Sequence, residues 1–206
     1  MLISHSHNFI FVHVYKTGGS SVKGLLHEVC DRAAERQFNV HVSAEKIRAA
    51  LPELWQQYFT FACVRNPWDF CVSLYYWLCE QQVHDMAQFV RELGSFREFV
   101  CYLYDPGGRQ VSFQHGSVAA FTRPLKTFIT YSEGVLLVDF LARFENLEQD
   151  WQEISKRIGV GAALPRNNAS RHPPYRDCYD DETRRMVSEM FREDLEFFGY
   201  QFEVNS

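Results

Sequence analysis

The stretch FIFVHVYKTGGSSVKGLL, Phe9 to Leu26, carries three local signals in succession. Phe9-Ile10-Phe11-Val12-His13-Val14 is apolar, aromatic and β-branched, which reads as a buried strand. Tyr15 to Ser20 is a glycine-containing loop, and Val22, Leu25, Leu26 and Val29 then recur at helical spacing. Two glycines let a backbone turn tightly and approach a ligand closely. A helix start offers unpaired N–H groups and the positive end of its dipole, which together favour phosphate-like anions. Lys16 adds a full charge, and Thr17, Ser20 and Ser21 add hydroxyl donors. The order is not that of a Walker loop, whose lysine follows its glycines, because Lys16 precedes Gly18 and Gly19.

Outward from this unit, Ser43 is placed to cap a short helix carrying Ile47, Ala50 and Leu51 that stops before Pro52. Residues 58–64 (YFTFACV) form a second strand candidate, and Pro67 suits the first turn of a helix running to about Glu80. Residues 85–104 read as helical, with a turn at Pro106-Gly107-Gly108. Phe128-Ile129-Thr130 and Val135 to Val138 are short strand candidates. Leu147, Trp151, Ile154 and Ile158 mark an amphipathic helix, and Asp180 caps a last one with Val187, Met190, Phe191, Leu195 and Phe198 on one face. Strands alternating with helices predict an α/β domain with a central, mainly parallel sheet, and no repeat or linker divides residues 1–206.

Composition bounds the function. Apolar residues make up 46% and charged residues 23% of the chain, an ordinary globular balance that excludes a disordered protein. The net charge of −5 speaks against a protein built to wrap nucleic acid or coat an anionic membrane. That acidity is local, since residues 177–206 hold nine acidic and three basic residues. No apolar run has the length of a membrane helix, and the N-terminus does not read as a signal peptide. Six scattered cysteines without a C-x-x-C pair lead us to expect reduced thiols in a cytoplasmic protein. His5 and His7 sit in an N-terminus expected to fray, and no metal-ligand pattern is present.

A second motif, Arg65-Asn66-Pro67-Trp68-Asp69-Phe70-Cys71-Val72-Ser73-Leu74-Tyr75, again sits at a strand end and opens a helix. Arg65 is a fork donor suited to bidentate phosphate binding, and Ser73 lies about two helical turns beyond it. Together the motifs resemble the sulfotransferases that use 3′-phosphoadenosine-5′-phosphosulfate (PAPS). The likeness is to the carbohydrate branch, with the heparan sulfate 2-O-sulfotransferases and smaller bacterial relatives. In that family a KTGG[ST]S loop holds the 5′-phosphosulfate and an RNP-x-[DE]-x-x-x-S-x-Y segment binds the 3′-phosphate. Tyr15 departs from the family's usual proline, and Phe70 from an often basic position. Val138-Asp139-Phe140, Arg143 to Leu147 and Asp194 to Tyr200 are similar to later family segments.

The resemblance implies a P-loop-like three-layer sandwich and a PAPS-dependent enzyme with a hydroxyl acceptor, a carbohydrate or a glycosylated small molecule. It implies Lys16, Thr17, Gly18, Gly19, Ser20 and Ser21 around the 5′-phosphosulfate, with Arg65 and Ser73 on the 3′-phosphate. Ser170 and Arg171 are candidates to close over that phosphate. Lys16 would stabilise the sulfuryl oxygens and the leaving phosphate, and no metal is called for. His41, in Asn39-Val40-His41-Val42-Ser43, is similar to the segment carrying the family's catalytic histidine and is the first choice of base. His13 and His115 follow it, with a core role weighed for His13. Acceptor choice is assigned to residues 80–127 and 160–180. The rival readings are a P-loop-type small-molecule kinase and a non-catalytic nucleotide-binding module; protein tyrosine sulfation is a weaker one.

Overall fold

A computed structural model describes residues 1–31, 38–81, 85–105, 112–113, 116–117, 121–131, 134–161, 163–164 and 172–202. Along the chain come β1 (Leu2–Ser4), β2 (Phe9–Val12), α1 (Gly19–Leu26), α2 (Ala44–Ala50), α3 (Pro52–Gln57) and β3 (Phe59–Val64). Next are α4 (Pro67–Glu80), α5 (Asp85–Leu93), α6 (Phe96–Tyr104) and the short antiparallel pair β4 (Ser112–Phe113) and β5 (Gly116–Ser117). The last are β6 (Phe140–Arg143), α7 (Leu147–Ile158), α8 (Asp181–Met190) and α9 (Arg192–Phe198). The residues cluster into two compact units, Met1–Arg65 with Leu125–Ala169, and Asn66–Pro124 with Ser170–Ser206.

The first unit is α/β. Its open sheet has the order β1-β2-β3-β6, with β2-β3 and β3-β6 parallel and β1-β2 antiparallel. The sheet is therefore mixed: two of its three pairings are parallel, and the antiparallel edge strand was not expected. The difference comes from the N-terminus, which does not fray. Met1 to Ile3 are buried, and β1 pairs with β2 through a turn in which Asn8 takes φ 49°. Asparagine tolerates that left-handed conformation better than most residues. His5 is held at the surface, its Nδ1 at 2.8 Å from the Tyr58 hydroxyl and its Nε2 at 3.3 Å from Asp31.

Phe9, Phe11, Phe61, Cys63 and Ala142 share one sheet face and form a core with Val22 and Leu26 of α1 and with Leu147, Trp151, Ile154 and Ile158 of α7. Phe11 stacks on Phe61 at 5.0 Å across the parallel pair. Full burial of each such side chain contributes about 1.5–3 kcal/mol. The start of β6 is pinned to β3 by a reciprocal pair. The Asp139 carboxylate accepts from the Thr60 amide and hydroxyl, both at 2.8 Å, and the Asp139 amide donates to the Thr60 hydroxyl oxygen at 3.0 Å.

Several other expectations shift. The helix expected before Pro52 does end there, at Ala50, but Pro52 then begins a further helix, α3, as proline's fixed φ and missing N–H allow at a first turn. The strand candidates at 128–130 and 135–138 are instead one 3₁₀ turn, Leu125–Phe128, and a single bridge between Thr130 and Leu136. The Thr130 hydroxyl donates to the Lys126 carbonyl at 3.0 Å, and beside the bridge the Tyr131 amide donates to the Val135 carbonyl and the Leu137 amide to the Ile129 carbonyl, both at 2.9 Å. The sheet's last strand begins just beyond, at Phe140.

In the second unit α4 is the buried centre, with Phe70, Cys71, Val72 and Leu74 fully enclosed. Asn66 caps it, its Oδ1 accepting the Trp68 amide at 3.0 Å, and α5, α6 and α8 pack against it. The helical stretch 85–104 divides at Gly94, φ 83°, with Ser95 capping α6. The final helix likewise breaks at Phe191, which is buried against Phe70. Among the described residues no helix is long and apolar enough to cross a membrane.

Candidate active site

Beyond β2 the chain makes the loop that the sequence singles out. Lys16 has φ 59° and Gly18 φ 84°, so two of three consecutive residues are left-handed. For a lysine this costs on the order of 1 kcal/mol, strain that folded proteins concentrate at functional sites. The strained peptide is fastened from both sides. Arg65, at the end of β3, donates from Nη1 to the Lys16 carbonyl at 3.2 Å, and its guanidinium lies 3.9 Å from the centre of the Phe144 ring. The Thr17 hydroxyl donates to the Val14 carbonyl at 2.9 Å.

The amides of Gly18, Gly19 and Ser20 donate to no acceptor among the described residues, whereas the Ser21 and Val22 amides already turn back to the Gly18 carbonyl. The loop thus delivers a row of N–H groups at the positive end of α1, next to Lys16. Both glycines are required by their surroundings. A Cβ on Gly18 would lie 2.8 Å from Leu147 Cδ2, and one on Gly19 would lie 2.1 and 2.2 Å from His13 Cδ2 and Nε2.

His41 lies on the same unit, in the turn before α2. Its Nδ1 is 2.9 Å from the His13 carbonyl oxygen. A carbonyl only accepts, so Nδ1 carries the proton and the basic lone pair is on Nε2. Its amide donates to Asn39 Oδ1 at 3.1 Å, and its ring is 4.7 Å from that of His13 and edge-on to Tyr15 at 5.7 Å. Tyr15 meets Phe128 edge-on at 5.2 Å on the other side. Burial holds the His41 imidazolium below its usual range, against the opposing pull of the His13 carbonyl. His13 is lowered to about 3, first by burial, then by His41, the chain's N-terminal amine and Lys23. Both imidazoles are therefore neutral at pH 7.

The candidates separate accordingly. Lys16, Gly18, Gly19, Ser20, Ser21, Arg65 and His41 all belong to the first unit, and Tyr15 and Phe128 tie His41 to the loop. Thr17 was expected to offer its hydroxyl to an anion; it is fully buried and that proton is committed to Val14. Arg65, expected as a phosphate fork, is 5% exposed and donates from Nη1 to the Lys16 carbonyl. Ser73 is buried on α4 in the second unit. Ser170, Arg171 and His115 lie outside the described residues. The sequence reading missed the Tyr15–Phe128 packing and the His13–Gly19 contact, although the glycine pair was a signal that something approaches closely.

A strained lysine, a row of open amides and an oriented neutral imidazole suit transfer of an anionic group to an acceptor that must lose a proton. Comparison with known proteins agrees. The model of the sulfotransferase family matches residues 1–201, and the chain belongs to that family. It is an enzyme of the sulfuryl-transferring class. An uncharacterized protein of Archaeoglobus fulgidus is 30% identical over 128 residues, which cover 60% of this chain and 88% of that protein.

Proposed function

We propose that the chain, as one domain of P-loop-like architecture, takes the sulfuryl group of PAPS and transfers it to a hydroxyl of a carbohydrate or a glycosylated small molecule. A cytoplasmic, bacterial setting goes with this reading, and the six scattered cysteines support the reducing compartment. PAPS supplies an activated sulfur whose leaving group is the phosphate of 3′,5′-ADP. The open amides of Gly18, Gly19 and Ser20 and the Lys16 ammonium would bind the phosphosulfate and offset the charge that gathers on the leaving phosphate. His41 Nε2 would take the acceptor's hydroxyl proton while the new O–S bond forms and the S–O bond to phosphate breaks. Arg65 fixes the Lys16 carbonyl and so the loop's shape. Arg65, Ser73, Ser170 and Arg171 remain the candidates for the 3′-phosphate.

The observation that carries the reading is the His41 tautomer, with a base lone pair fixed on Nε2 beside the Lys16 loop. Isothermal titration with 3′,5′-ADP tests the nucleotide half. The wild type binds, Lys16→Ala and Arg65→Ala weaken binding, and no binding at millimolar concentration refutes the proposal. Labelled PAPS with a panel of hydroxyl acceptors tests the other half. His41→Ala keeps nucleotide binding and loses transfer, and unaltered turnover in that variant removes His41 as base. Nucleotide binding without transfer to any acceptor favours a binding module, and magnesium-dependent ATP turnover favours a kinase.

A further inference from the structure

His13 is 8% exposed, lies just past the end of β2, and packs its ring over Phe11 at 5.6 Å and beside His41 at 4.7 Å. Its carbonyl holds His41, but neither ring nitrogen makes a hydrogen bond among the described residues. Its ring nitrogens are not among the fully buried polar atoms that lack a partner, so they keep access to solvent although the residue is 8% exposed, and a small ligand can reach them. The direction of the ring is informative. Its Cδ2–Nε2 edge occupies the volume that a side chain on Gly19 would need, so Nε2 faces the first residue of α1. At that helix start the amides of Gly18, Gly19 and Ser20 also lack acceptors.

We propose that His13 is a second ligand-contacting residue of the transfer site, whose Nε2–H donates to an oxygen of the sulfuryl group. The inference rests on the function proposed above. Its ring adjoins that of His41, the group that meets the acceptor oxygen, and this sets His13 on the sulfur side of the phosphosulfate. A neutral imidazole carries one N–H and one lone pair, and an anion at the helix start selects the tautomer with the proton on Nε2. The depressed basicity of His13 fits a donor that stays neutral throughout. The two histidines then hold opposite tautomers and do opposite work: His41 accepts a proton, and His13 only donates a hydrogen bond.

The test needs no acceptor. Affinities for PAPS and for 3′,5′-ADP, which lacks the sulfuryl group, are measured by titration calorimetry for the wild type and His13→Phe. The phenylalanine keeps the packing and removes both nitrogens. His13→Phe should bind 3′,5′-ADP within about twofold of wild type, while its PAPS-to-3′,5′-ADP affinity ratio falls about tenfold, as loss of a charge-assisted bond implies. An unchanged ratio overturns the proposal and makes His13 a packing residue. If His13→Phe does not fold, ¹⁵N–¹H imidazole spectra of the wild type decide. Addition of PAPS, but not of 3′,5′-ADP, should bring out a His13 Nε2–H signal, and its absence overturns the proposal. A wild type that binds neither nucleotide refutes the sulfotransferase reading itself, whereas binding with an unaltered ratio refutes only the role of His13.

Discussion

Adding one methyl group at Gly19 tests the packing behind the loop directly. In Gly19→Ala the new Cβ would lie 2.1 Å from His13 Cδ2 and 2.2 Å from Nε2, well inside van der Waals contact. The ring would have to retreat by more than an ångström, and it is boxed by Phe11 on one side and His41 on the other. Overpacking of this kind costs about 1–3 kcal/mol. Alanine recovers up to about 1 kcal/mol through its better helix propensity. The net expectation is a loss of about 1–2 kcal/mol, read from urea unfolding monitored by circular dichroism. The partner change gives the control. In a His13→Ala background the space is open, so Gly19→Ala should become neutral or slightly stabilising, with a coupling of about 1–3 kcal/mol in the double-mutant cycle. Gly19→Ala as stable as wild type, or strict additivity, would refute the placement of the ring over Gly19.

The remaining predictions use the same unfolding measurement or simple chemistry. His13 stays neutral in the folded protein down to about 3 but takes a proton near its usual pKa of 6.5 when unfolded. Its contribution is therefore fully present above pH 6.5 and is lost as pH falls, at about 1.4 kcal/mol per pH unit, or about 2 kcal/mol between pH 6.5 and 5. His13→Phe should remove that part of the pH dependence and leave the part due to His41; equal slopes in the two proteins would contradict it. Burial pushes the Cys63 and Cys71 thiols far up, so native alkylation followed by mass spectrometry should leave both unmodified while partly exposed cysteines react. In the second unit, Asp180 Oδ1 accepts the Thr183 amide at 2.8 Å and the Thr183 hydroxyl oxygen accepts the Asp180 amide at 3.1 Å. Asp180→Ala should cost about 1 kcal/mol and Asp180→Asn much less, and equal melting temperatures for the two variants would count against the capping box.

Local chemistry explains what could be read before the fold was seen. The apolar run at Phe9, the glycine pair and Pro67 each act within a few residues, so the strand–loop–helix unit and the start of α4 follow from them. The antiparallel β1 did not, because Leu2 and Ile3 gain their burial only from a neighbour strand, and His5, His7 and Asn8 around the turn give a polar local signal. The strand at Phe140 was foreseen only through a family likeness, since its register depends on Thr60 and Asp139, 79 residues apart. Around the loop, Lys16 and His41 stood out by residue type alone. The inward turn of Thr17 and the bracing role of Arg65 did not, because each depends on a carbonyl whose direction a sequence does not encode.

The bond from His41 to the His13 carbonyl has a bearing on mutational robustness. A base oriented by a carboxylate side chain is one nucleotide change from losing its orientation. A base oriented by the peptide group is not, since any residue at position 13 brings the same carbonyl. Selection on that position is thereby relieved of one duty and acts on the ring alone. A lineage could exchange the ring at position 13 while the His41 imidazole stays in register.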